Sequence, residues 1–292
     1  MKSTWFGCRR RYNFARCIHD ADYSRQMWDN FSSFLTIAFY SFRQANHKML
    51  TGTMNHDYEQ QVVREQNRLK DWTRMAEALS ILTMALEEEP CDFLGNVSTE
   101  LGLNDSKWRG QCFTPSSVCN LMAEMQLENA KPQDDRTAWL AEPACGGGAM
   151  LIAADNVLKR NGFYPWHYHW HATDIDWKCY AMTFLQLSLL GIPAQVTWGN
   201  TLSLQYQEHA RTLASLLHPP KPTHQESDMT EQELQDILGG DATTQKPSVE
   251  FALKNDPPKT RQARFPDPER TVQKTMFTGL NCLSGQQDLI ET

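Results

Sequence analysis

The sequence predicts an α/β fold, with a doubly wound, mostly parallel sheet preceded by an N-terminal helical region. Two observations carry this reading. In the first part of the chain apolar residues recur at spacings of three and four, the period of a helix face. From about residue 131 to 217, short apolar runs alternate with helical stretches, and parallel strands need such crossovers. Composition divides the 292 residues into a basic N-terminal segment (1–25), a helical region (26–109), an α/β domain (110–217) and a polar, proline-rich extension (218–292) that reads as flexible.

The elements follow in order. The N-terminal segment carries Arg9, Arg10, Arg11 and Arg16 and reads as a solvated, mobile terminus; with Trp5 and Phe6 nearby it is also a candidate DNA contact. Trp28, Phe31, Phe34, Leu35 and Phe39 make one face of a first helix. A second helix is expected over Tyr58–Glu87, with Met75, Leu79, Leu82 and Leu86 inward, until Pro90 and Gly95 break the pattern. Pro115 suits the first turn of a third helix, capped by Thr114, with Val118, Leu121, Met122 and Met125 apolar. Thr137–Ala141 reads as a strand, Ala149–Lys159 as a helix closed by Asn161-Gly162, and the run ending at Asp174 as a strand. In that run Tyr168, Trp170 and Ala172 alternate with His167, His169 and His171. Cys179–Leu190 is an apolar helix capped by Gly191, and Ala194–Trp198 a strand ending at Gly199-Asn200. Glu208–Leu217 reads as helix, and Thr230 with Glu233 forms a capping box for a short helix over Glu231–Leu238.

Composition excludes several function classes. With 28 basic and 35 acidic residues the formal charge is −7, so this is not a wholesale basic nucleic-acid coat, and any DNA contact must be local. No apolar run reaches the length of about 18 residues that a membrane span needs, so no membrane partner is expected. The basic N-terminus is followed by no apolar stretch of a secretory signal. The eight cysteines (Cys8, Cys17, Cys91, Cys112, Cys119, Cys145, Cys179, Cys282) are scattered without a C-x-x-C pair and read as reduced thiols of a cytoplasmic protein. Cys8, Cys17 and His19 lack metal-ligand spacing, and the three histidines of the second strand lack a carboxylate partner, so no metal is expected.

The chemistry gathers at strand ends, where an open α/β sheet binds its ligands. The first strand runs into Glu142-Pro143-Ala144-Cys145-Gly146-Gly147-Gly148, whose glycines let a ligand approach the backbone and whose following helix offers free N–H groups. This turn is neither G-x-G-x-x-G nor a P-loop. Asp174, ending the second strand, can accept hydrogen bonds from ribose hydroxyls, and Asn200, ending the third, can read an adenine edge. Each feature alone is ordinary: a tight turn, a helix cap, an Asx turn. As an ordered set they describe a pocket for an adenosine-containing cofactor without phosphates.

These residues also resemble a family. Gly110-Gln111-Cys112-Phe113-Thr114-Pro115 is similar to the G-Q-x-F-T-P segment of adenine-specific N6 DNA methyltransferases, above all the modification subunits of type I restriction systems and their plasmid- and phage-borne relatives. The glycine turn resembles their D-P-A-C-G-S-G, and Asp92-Phe93-Leu94-Gly95 their D-x-L-G. Asp174-Ile175-Asp176, Gln186–Pro193 and Gly199-Asn200-Thr201-Leu202 follow in the family's order, so the likeness covers about residues 28–204. It implies a Rossmann-like S-adenosylmethionine-dependent methyltransferase fold, methyl transfer to the N6 amine of adenine in DNA, and S-adenosyl-L-methionine as cofactor. By resemblance, Phe113 and Thr114 hold the cofactor's methionine end, Glu142 and Gly146 line the same part, Asp174 binds its ribose and Asn200 contacts its adenine, with Ala144 also among the cofactor-binding residues. DNA and a specificity or accessory subunit are the implied partners.

The sequence departs from the family at the catalytic motif. An N/D-P-P-Y/F sequence is expected shortly after Asn200, its first residue and proline carbonyl accepting from the target amine and its ring stacking on the flipped base. His218-Pro219-Pro220-Lys221 stands near that spacing, which makes His218, Pro219 and Pro220 the catalytic candidates, without an aromatic ring. Asn255-Asp256-Pro257-Pro258-Lys259 is a second candidate. No target-recognition domain is evident. The alternative reading is therefore a catalytically silent homologue that binds cofactor or DNA as an accessory or regulatory protein. Methylation of an RNA or protein amine is a weaker third, disfavoured by the G-Q-x-F-T-P segment.

Overall fold

A computed structural model describes residues 2–103, 113–221 and 274–275, with side chains over 9–103 and 113–221. Five helices come first: α1 (Lys2–Ala21), α2 (Met27–Thr51), α3 (His56–Gln66), α4 (Thr73–Glu88) and α5 (Phe93–Glu100). After α6 (Ser116–Leu127) the chain alternates β1 (Ala138–Glu142), α7 (Ala149–Arg160), β2 (Tyr168–Asp174), α8 (Trp177–Leu189) and β3 (Ala194–Asn200). It then runs through β4 (Gln205–Arg211) and α9 (Leu213–Leu217); Lys274–Thr275 form a two-residue β5. Sheet order is β4-β3-β2-β1-β5, with β1, β2 and β3 parallel, β4 antiparallel to β3 and β5 parallel to β1. No described helix is long and apolar enough to cross a membrane.

The mixed α/β architecture with a mostly parallel sheet agrees with expectation, and several elements correct it in detail. The N-terminal segment is a helix, not a loose terminus. One face of α1 buries Phe14, Cys17, Ile18 and Ala21, and Phe14 meets Phe31, Phe34 and Phe93 edge-on with centroids 5.0–6.5 Å apart. Two of its arginines are already engaged, Arg10 with Glu88 and Arg11 with Glu100. The long helix expected over Tyr58–Glu87 is two helices. Leu69, which is buried, and Asp71, which is half-exposed, turn the chain: the Asp71 N–H donates to the Ala21 carbonyl (2.9 Å), while its Oδ1 accepts from Thr73 N (3.2 Å) to start α4. In α6 the inward face is Cys119, Ala123 and Leu127, because small residues let α6 lie closely on α7; Val118, Leu121 and Met125 face out. Pro115 precedes α6 rather than entering it, and no side chain caps that helix. Glu208–Leu217 is the end of β4 followed by a single helical turn. Gln205–Arg211 pairs antiparallel with β3, which makes it a strand. The Glu231–Leu238 helix lies outside the described residues.

The two sheet faces differ. Tyr168, Trp170, Ala172, Ala194 and Val196 join one large core with α7, α8 and the N-terminal helices. The Tyr168 hydroxyl bonds Asp155 of α7, and Phe39 of α2 packs on Tyr180 and Phe184 of α8. The opposite face carries Trp139 against His169 and His171, Thr197 bonded to His209, and Arg211. Among the described residues the helix on that side is α9, whose Ser215 bonds His169 (2.7 Å) and Arg211 (3.1 Å). The described chain thus layers its long helices on one face, and the second layer of a doubly wound sheet is not among the described residues.

Candidate functional site

The carboxyl ends of β1, β2 and β3 lie side by side because the three strands are parallel neighbours. Glu142, Asp174 and Asn200 close these strands. Backbone and side-chain bonds knit the three ends together. Cys145 N donates to the Thr173 carbonyl (2.9 Å), Gly146 N to Asp174 Oδ2 (2.8 Å), and Thr201 Oγ1 to the Pro143 carbonyl (2.8 Å).

The glycine turn is set by geometry that only glycine satisfies cheaply. Gly146 and Gly148 have φ of +55° and +98°. Gly147 has ordinary φ, yet a Cβ there would stand 2.6 Å from both carboxylate oxygens of Asp92. A Cβ on Gly146 would meet the Phe113 ring at 3.0 Å, so that ring lies directly against the turn. Thr114 is exposed beside it, its carbonyl accepting from Cys119 Sγ (3.6 Å). Gly110, Gln111 and Cys112 of the same motif lie outside the described residues.

Three carboxyl groups surround the turn. Glu142 is 1 % exposed; Oε1 accepts from Ala144 N (3.1 Å), and Oε2 has no hydrogen-bond partner among the described residues. Burial raises its pKa, and Asp174 nearby adds to the rise. Asp174 is also pushed up by burial, opposed by its backbone donors; Oδ1 accepts from Asp176 N (2.8 Å) while Oδ2 holds Gly146. Asp92, reached from the N-terminal region, caps α5 by accepting from Gly95 N (2.8 Å), and burial raises it too. Asn200 Oδ1 accepts from Leu202 N (2.9 Å) and Ser203 N (3.3 Å), an Asx turn that leaves its amide NH2 without a hydrogen bond among the described residues. Beyond it Leu202 is 97 % exposed, and Ile175, next to Asp174, is exposed as well.

The structure therefore brings Phe113, Glu142, Ala144, Gly146, Asp174 and Asn200 to one end of the sheet, with Thr114 adjoining. It does not bring His218, Pro219 and Pro220 there. Antiparallel β4 carries the chain back to the opposite end, where His218 lies against Trp166 (5.7 Å), ahead of β2. Lys221 N there donates to Thr137 Oγ1 (2.9 Å), ahead of β1. That placement corrects the expectation that this proline pair stands beside the cofactor residues. Asn255–Lys259 lies outside the described residues. Among the described residues no group of histidines, cysteines and carboxylates could hold a metal ion.

Reading the sequence missed the residues that fix the turn from behind. Gln186 of α8 donates from Nε2 to the Gly147 carbonyl (2.6 Å) and to Asp92 Oδ1 (2.9 Å), and its Oε1 accepts from Leu94 N (3.0 Å). Thr183 donates to the Gly146 carbonyl (2.8 Å). Asp92 and Gln186 stand in motif segments, which could have marked them; Thr183 carries no such signal. A cavity of about 470 Å³ beside the turn, between α1, α5, α6 and α7, shares Asp92 and is lined further by Asn96, Asn120 and Asn156.

A family model described as N-6 DNA Methylase matches residues 97–245, from α5 through α9 and beyond. Among solved structures, the methyltransferase subunit of a type I restriction-modification system from Streptococcus thermophilus is similar at 13% identity and TM-score 0.36. The match covers 68% of this chain and 59% of that one, so the chain spans little more than half of that subunit. No curated protein matches the chain.

Proposed function

Because the chain belongs to the N-6 DNA Methylase family, we propose that it binds S-adenosyl-L-methionine and transfers its methyl group to the N6 amine of adenine in DNA. The observation that carries the proposal is the meeting of Phe113, Glu142, the glycine turn, Asp174 and Asn200 at one end of the sheet, inside the matched segment. The Rossmann-like form of the fold and the division at residues 26–109 and 110–217 belong to the same proposal.

The residues suit this cofactor. Glu142 Oε2, buried and without a partner among the described residues, supplies an acceptor for a cationic or N–H-bearing group. The turn and the N-terminus of α7 supply backbone N–H donors for a carboxylate, with Phe113 and Thr114 alongside and Ala144 at the rim. Asp174 accepts backbone bonds on both oxygens and, with about four lone-pair sites in a carboxylate, keeps acceptor capacity for a ribose hydroxyl. Asn200 spends its oxygen on the Asx turn, so its NH2 is the group offered to an adenine ring nitrogen. Exposed Ile175 and Leu202 offer apolar surface beside that position. The bound cofactor would supply an electrophilic methyl group on a sulfonium. The chain's part is to orient it, since holding two reactants in line accounts for much of such a rate. DNA and an accessory or specificity subunit are the partners proposed.

One observation favours a second reading, a catalytically silent homologue that binds cofactor or DNA in an accessory role. Among the described residues no N/D-P-P-aromatic sequence stands at the strand ends, and His218-Pro219-Pro220 lies at the other end of the sheet. Incubating the full chain with methyl-tritiated S-adenosylmethionine and DNA, followed by nucleoside analysis, separates the two. Labelled N6-methyladenine supports the enzyme. Cofactor binding without label in any DNA supports the silent homologue.

A further inference from the structure

Thr183 and Gln186 are three residues apart in α8, hence on one face, and both are fully buried. Their donors serve the glycine turn: Thr183 Oγ1 bonds the Gly146 carbonyl and Gln186 Nε2 the Gly147 carbonyl. The peptides are trans, so each carbonyl and the N–H across its C–N bond point in opposite directions. Anchoring the Gly146 carbonyl on Thr183 therefore turns the Gly147 N–H away from α8. The next N–H, that of Gly148, is taken by the Cys145 carbonyl (2.8 Å), and that of Gly146 by Asp174. Among the described residues the Gly147 N–H makes no hydrogen bond. It is the donor that the turn keeps for something else. The Gln186 amide also holds Asp92 and Leu94, so the start of α5 and the turn are fixed by the same side chain.

We propose that Thr183 and Gln186 are positioning residues that fix the glycine peptides so that the Gly147 N–H faces the bound cofactor. The inference rests on the reading of the turn as the S-adenosylmethionine site. Neither side chain touches the cofactor: Thr183 holds the carbonyl of the peptide that carries the Gly147 N–H, and Gln186 holds the next peptide, so that Gly147 is fixed on both sides.

The test is calorimetric titration of the full chain with S-adenosylmethionine for the wild type, Thr183→Val, Thr183→Ser and Gln186→Met, with thermal melts of each. Thr183→Val keeps the shape and removes the donor, and is expected to weaken binding about tenfold or more. Thr183→Ser restores the hydroxyl and is expected to bind close to wild type. Gln186→Met, an independent removal of the second anchor, is expected to weaken binding similarly. In 15N spectra the Gly147 amide should shift on titration in the wild type and the Ser variant. Wild-type affinity in Thr183→Val or in Gln186→Met overturns the proposal, as does a Ser variant as weak as Val. A wild type that does not bind the cofactor overturns the reading of the site itself.

Discussion

Gly147 has no room for a side chain, because the Asp92 carboxylate occupies the place of a Cβ. Gly147→Ala is expected to cost about 1–3 kcal/mol, the usual range for overpacking a filled site. Asp92→Ala should recover part of that loss in the double variant, and urea unfolding of the four proteins measures the coupling. The histidines of the second sheet face make a different prediction. Burial lowers His169 to about 3 and His171 to about 4, both below the ordinary histidine value. Between that value and their folded values the unfolded chain binds protons that the native chain does not, so these groups withdraw stability as pH falls. The raised carboxyls Glu142, Asp174 and Asp92 act oppositely, binding protons in the native state first. The histidine share is therefore read as a difference: relative to His171→Gln, the wild type should lose on the order of 1–3 kcal/mol from pH 7 to pH 4. Equal pH dependence of the two proteins would contradict it. At this scale the sequence reveals Glu142, Asp174 and Asn200 because each ends a strand. It conceals Thr183, since nothing local marks a side chain whose partner is the Gly146 carbonyl, 37 positions away in the chain.

Among elements, α1 departs most from a reading of the sequence. Four arginines within eight positions suggest a solvated terminus, yet the helix period places Phe14, Cys17, Ile18 and Ala21 on one buried face and lets Arg10 and Arg11 reach acids of α4 and α5. Phe14→Ala should cost about 3–5 kcal/mol by chemical denaturation, the range for emptying a buried aromatic site. A cost below 1 kcal/mol would mean that α1 is not part of the core. A second tie joins α2 to the sheet edge: Arg43 Nη1 bonds Glu208 Oε1 of β4 (2.5 Å), with the guanidinium 4.8 Å from the Tyr58 ring centroid. Neither partner is freely exposed, so a double-mutant cycle with Arg43→Met and Glu208→Gln should give a coupling of about 1–2 kcal/mol. A coupling near zero would make the pair incidental. The helix and strand periods were legible wherever the pattern ran long, as in α2, α7, β2 and α8. They failed at α6, whose larger apolar side chains face outward, and at β4, a half-polar edge strand that alternates too weakly to be told from a helix.

In the whole molecule, parallel strands bring residues distant in sequence together. Three parallel neighbours gather Glu142, Asp174 and Asn200, whereas antiparallel β4 carries His218 to the other end. Spacing along the chain suggested that His218 stood near the cofactor residues, because a count of residues cannot show a reversal of direction. One end of the sheet is proposed as an S-adenosylmethionine site. The most direct measurement is calorimetric titration of the full chain with that cofactor, beside Asp174→Ala and Asn200→Ala, with circular dichroism to confirm that each variant is folded. The wild type is expected to bind one cofactor per chain, with binding abolished by Asp174→Ala and weakened at least tenfold by Asn200→Ala, about 1.4 kcal/mol or more. A folded wild type that takes up no cofactor, or folded variants that bind as tightly as it does, would contradict the proposal.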